Sequence, residues 1–98
     1  MATYIMLMSY TDVGIQHFKN IGDRLEHARR GAVELGAELQ AFYLTMGQYD
    51  AVAVVEAPDD ETAAKLSLVN AANGRVRIHT MRAFTEPETV QLASELPA

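Results

Sequence analysis

Six side chains stand out for the chemistry they could do: Tyr10, His17, Tyr43, Arg77, His79 and Arg82. A histidine titrates near neutrality and can serve as a general base. An arginine can grip a carboxylate or an enolate oxygen through parallel N–H bonds. His79 and Arg82 are the catalytic candidates, and all six are candidate ligand contacts. Each also has a plain structural role. His79 can be a hydrogen-bonded residue in a subunit seam, and Arg82 can be one half of an ion pair. Tyr10, His17 and Tyr43, together with Met8, can be ordinary core and rim. No metal site is expected, because His17 and His27 are too far apart on a helix to chelate from one face. Gly14 and Gly22 lack the companion glycines of a phosphate-binding loop, so no nucleotide cofactor is implied.

The elements that must position these groups follow from hydrophobic period. Thr3 to Tyr10 alternates as a strand, with Ile5, Leu7 and Ser9 on one side and Tyr4, Met6, Met8 and Tyr10 on the other. Thr11 or Asp12 suits a helix N-cap. Ile15, Phe18, Ile21, Leu25, Ala28, Ala32 and Leu35 then recur at helical steps, with Asn20 and Gly22 interrupting them and Gly36 ending the run. Ala37 to Met46 and Ala51 to Glu56 read as strands joined by Gly47-Gln48-Tyr49-Asp50. Pro58 and the acids after it open a second helix with an inner face of Ala63, Leu66, Val69 and Asn70. Asn73-Gly74 closes it, Arg75 to Phe84 is a fourth strand, and Glu86-Pro87 opens a short terminal helix carrying Val90, Ala93 and Leu96.

The order βαββαβ predicts an α+β, ferredoxin-like sheet of order 4-1-3-2 with both main helices on one face, as a single domain over 1–98. In the fourth strand Val76, Ile78, Thr80, Arg82 and Phe84 belong under the helices, and Arg75, Arg77, His79, Met81 and Ala83 on the open side. The expected partner for Arg82 is Asp50, placed at the same end of the sheet.

Composition narrows the classes. The 98 residues are 49% hydrophobic and carry a net charge of −5, which argues against disorder and against a general nucleic-acid binder. There is no cysteine, which removes disulfides and thiolate chemistry. No stretch reaches membrane-spanning length or the pattern of an export signal, so a cytoplasmic protein with no membrane partner is expected. The first and third strands are apolar on both faces, and a one-sided sheet would leave a large patch wet. A second copy packed sheet to sheet, as a dimeric α/β barrel, solves this.

The stretch Gly47-Gln48-Tyr49-Asp50 followed by Ala51–Asp60 resembles the GYD domain family, whose Gly-x-Tyr-Asp signature is matched by Gly47, Tyr49 and Asp50. The segments Tyr10–Ile15, Phe42–Met46 and Val76–Phe84 are similar to it as well. The resemblance implies a small ferredoxin-like domain related to dimeric α/β barrels and supplies no reaction, since that fold hosts monooxygenases, isomerases and sensors alike. The signature turn itself reads as structural: a glycine at positive φ and an aspartate bonding local backbone. The function expected is a homo-oligomeric domain that binds a small organic molecule or acts as an accessory or interaction subunit, with no cofactor. The alternative is a cofactor-independent enzyme, monooxygenase- or isomerase-like, acting on a ring-bearing or enolisable substrate.

Overall fold

A computed structural model describes all 98 residues. Its elements are β1 (Ala2–Tyr10), α1 (Asp12–Gln16), a single 3₁₀ turn (Phe18–Asn20), α2 (Ile21–Glu34), β2 (Glu38–Leu44), β3 (Ala51–Ala57), α3 (Asp60–Ala71), β4 (Val76–Ala83) and α4 (Glu86–Ser94). The four strands form one antiparallel sheet in the order β2-β3-β1-β4, the ferredoxin-like arrangement expected.

The pairing settles the faces. Tyr4 lies opposite Val55 and Arg82, and Met6 opposite Ala53 and Thr80, so these residues share the helix side. Ile5 lies opposite Val54 and Met81, and Leu7 opposite Val52 and His79, on the open side. Between Leu39 and Ala41 the β2–β3 register slips by one residue, which puts Leu39 under the helices and Ala41 on the open face. A strict period of two through β2 would have put both on one side.

The helices begin and end on recognisable chemistry. The Thr11 hydroxyl accepts the Gly14 N–H at the start of α1. Asp59 does the same for α3, where the hydroxyl and amide of Thr62 hold its carboxyl below the usual range. Thr85 and Glu88 make a reciprocal capping box at α4. The expected interruption near Asn20 is present, and it turns α1 so that Ile15 is exposed instead of joining the inner stripe. In α3 Val69 also faces water. Ser67 points inward in its place, its hydroxyl 2.5 Å from that of Thr80 on β4.

The core is made of Tyr4, Met6 and Val55 on the sheet, covered by Leu66 and a set of alanines. Six of its ten buried hydrophobic residues are alanine: 32, 37, 51, 53, 57 and 63. Side chains this small fill little volume between the sheet and the helices. No helix is long and apolar enough to cross a membrane. Every residue of α4 except Glu88 is exposed.

Candidate functional site

A cavity of about 110 Å³ lies between the sheet and helices α1, α2 and α3, with Ala28, Ala32 and Ala53 in its wall. Met6, Ala53, Val55 and Leu66, all buried, form its floor. Its polar groups are Tyr10, His17, Arg24, Asn70, Asn73 and Arg75, which are half-buried or exposed and so stand at its mouth. Fifteen of the 21 lining residues are hydrophobic and none is acidic.

Local bonds hold the mouth in shape. The Thr11 N–H donates to the Arg75 carbonyl at 3.0 Å, and the Thr11 hydroxyl donates to the Gly74 carbonyl at 2.6 Å. Gly14 packs so closely on this strand start that a Cβ there would sit 2.0 Å from the Arg75 carbonyl oxygen. His17 Nδ1–H donates to the Val13 carbonyl at 2.9 Å, which leaves Nε2 as an acceptor. The Tyr10 ring stands edge-on to Phe18 with centroids 5.2 Å apart. Burial pushes the Tyr10 phenol above its ordinary pKa, and the Asp50 carboxylate adds to the shift.

The six candidates do not converge. Tyr10 and His17 line the cavity with Met8. Tyr43 pairs with Val52 on the open face and is 60% exposed. Arg77 and His79 lie on the open side of the edge strand β4. Arg82 is on the helix side as its parity required, but it is exposed and lies outside the cavity wall. Its guanidinium stacks over Phe84 at 4.4 Å and reaches the Tyr4 ring at 5.8 Å, donating to the carbonyls of Ala83 and Thr3. The expected pair with Asp50 does not form. Both β3 and β4 run antiparallel to β1, so the end of β4 lies beside the end of β3, and Asp50 is at the opposite end of the sheet.

The Gly-x-Tyr-Asp turn is built into the β2–β3 connection. Gly47 has φ +111°. The Thr45 hydroxyl donates to the Tyr49 carbonyl at 2.7 Å, and the Thr45 N–H donates to the Asp50 carbonyl at 2.8 Å. The Asp50 carboxylate accepts the Tyr10 N–H at 2.8 Å, extending the attachment of β3 to β1 beyond the last ladder pair, Met8 and Ala51.

A family model for the GYD domain matches residues 4–93. The chain belongs to the GYD domain family. One curated GYD-like relative, the "Glutamine synthetase and cystathionine beta-lyase binding protein" of Thermus thermophilus, is 33% identical over 85 residues, covering 86% of this chain and 90% of the relative. No solved structure matches this GYD chain.

Arg24, Asn70 and Arg75 were not among the sequence candidates. Arg24 did carry a signal: it falls one helical turn from Ile21 and Ala28, on the apolar stripe itself. Arg75 had a misleading one: strand parity put it on the open side, but it precedes the first β1–β4 ladder pair, Tyr10 and Val76, and lies in the cavity lining instead.

Proposed function

We propose that this GYD domain is a homo-oligomeric accessory protein that binds other proteins, self-assembling through the open face of its sheet. The observation that carries the reading is that face. Ile5, Leu7, Val52 and Val54 form its centre, Tyr43 and Met81 extend it while 60% and 45% exposed, and no helix covers it. A contiguous apolar surface on central strands is the mark of an interface. A second copy, closing a dimeric α/β barrel, is the economical cover because one patch then serves both subunits. The relative's name, which describes binding to two enzymes, supports the protein-binding half of the reading. So does the scatter of the candidate catalytic groups over both faces and both ends of the sheet. The test is sedimentation of the chain alone and with purified glutamine synthetase or cystathionine beta-lyase. A multiple of the chain mass alone, and co-sedimentation with either enzyme, is expected. A monomer indifferent to both contradicts the proposal.

The cavity favours a second component: the same subunit takes up a small organic molecule. A cofactor-independent enzyme is the alternative, with Tyr10 and His17 as the polar groups at the cavity. Turnover of an enolisable substrate, lost in His17→Ala, would select it.

A further inference from the structure

The chain has thirteen acidic residues against eight lysines and arginines, yet the cavity wall carries two arginines and no acid. Arg24 enters from α2 and Arg75 from the residue before β4, and both are half-buried. The bonds that fix Arg75 use its backbone alone: its N–H donates to Asn73 Oδ1 at 3.0 Å, and its carbonyl accepts from Thr11. Its guanidinium therefore stays available to the cavity, and no carboxylate of the wall neutralises that of Arg24. The floor opposite them is apolar. An apolar pocket with a few polar groups at one end orients a ligand that has a polar head and an apolar body.

We infer that the cavity between the sheet and α2 is a binding site for a short-chain aliphatic carboxylate, its anionic head held by Arg24 and Arg75 and its hydrocarbon body on Met6, Val55 and Leu66. This deepens, and rests on, the small-molecule component proposed above. Size sets the class. At about 110 Å³ the space is smaller than the ~150 Å³ engineered apolar cavity that admits benzene, so it suits a body of about four or five carbons. Charge sets the head group, since an arginine fork matches the two oxygens of a carboxylate. The Tyr10 hydroxyl supplies a further donor at the same mouth.

The experiment is calorimetric titration of the full chain with isovalerate and with its neutral isostere isovaleramide. It is repeated on Arg24→Gln, Arg75→Gln and the cavity-filling Ala28→Phe, each checked for folding by circular dichroism. Isovalerate should bind at least about tenfold tighter than the amide, since hydrogen bonds to charged groups are the strong ones. Each glutamine variant should lose about tenfold for the acid and little for the amide, and Ala28→Phe should abolish both. If one arginine variant fails to fold, the acid–amide comparison on the unaltered chain still decides. Equal affinity for acid and amide would overturn the carboxylate assignment while leaving a small-molecule site. Absence of binding by either at millimolar concentration would overturn both.

Discussion

Tyr49 stands edge-on to His79, with ring centroids 5.8 Å apart at an interplanar angle of 68°. The contact runs from the β2–β3 connection across to β4, spanning the end of β1. It links the family's signature turn to the apolar open face, because His79 lies directly opposite Leu7 there. In the assembly proposed, this pair is part of the seam. Tyr49→Ala should therefore weaken self-association more than it lowers the melting temperature of the dissociated chain, measured by sedimentation and calorimetry over a dilution series. A fall in melting temperature with association unchanged would place Tyr49 inside the fold alone.

Gly47 is held at φ +111° with nothing within 4 Å of where a Cβ would be, so any penalty for a side chain is purely conformational. Gly47→Ala should cost about 1 kcal/mol in urea unfolding. Gly14 is the opposite case. Its penalty is steric, since a methyl would meet the Arg75 carbonyl oxygen at 2.0 Å and backbone must move. Gly14→Ala should cost more, about 2–3 kcal/mol, and should also disturb the cavity mouth. An equal or smaller cost for Gly14→Ala would refute this ranking.

Asp50 and Arg82 are each anchored separately, one on the Tyr10 N–H and the other over Phe84. Asp50→Ala leaves a strand N–H without its acceptor and should cost about 1–2 kcal/mol. The Asp50→Ala, Arg82→Ala double-mutant cycle should be additive within about 0.5 kcal/mol. A larger coupling would restore the ion pair that the strand directions exclude.

The fold was legible because its parts agree: a β1 and a β3 apolar on both faces, the acidic start of α3 and glycines after the helices all favour one topology. Within the ladder the two faces of β4 also followed from parity, with Thr80 and Arg82 on the helix side, while Arg75, just before the ladder, departed from it. The error over Arg82 came one level higher, in the relative direction of two strands that are not neighbours in the sheet. Parity says which face a residue occupies but nothing about which end. The bulge at Gln40, the exposure of Ile15 and Val69, and the place of Arg75 at the cavity all depend on tertiary packing. No period in the sequence encodes them. The cavity depended on volume: Ala28 and Ala32 read as core in sequence, and only the packed structure shows that the space beside them and Ala53 is left unfilled.

Tyr10 offers a check on the cavity through pH. Its phenol is raised by burial and by Asp50, so the folded state favours the protonated form. Its contribution to stability is present below the unfolded value, about 10, and is lost as pH rises through the higher folded value. Spectrophotometric titration should find two tyrosines ionising late, Tyr4 because its hydroxyl donates to the Asp60 carboxylate and Tyr10 because of burial, and Tyr10→Phe should remove one of the two steps and reduce the alkaline loss of stability. An alkaline profile unchanged in Tyr10→Phe would mean that the ring is more solvated than the cavity geometry implies.

The central claim is that the open sheet face is covered by a second copy. Sedimentation equilibrium at micromolar concentration tests it most directly, on the unaltered chain and on Val54→Lys, whose side chain lies opposite Ile5 at the centre of that face. The unaltered chain should have at least twice the monomer mass. Val54→Lys should shift it towards monomer with the helical circular dichroism signal retained, since a lysine there can extend into water once the partner has left. A unaltered chain that sediments as a monomer at this concentration, or a Val54→Lys variant that stays folded with its assembly unchanged, would contradict the account.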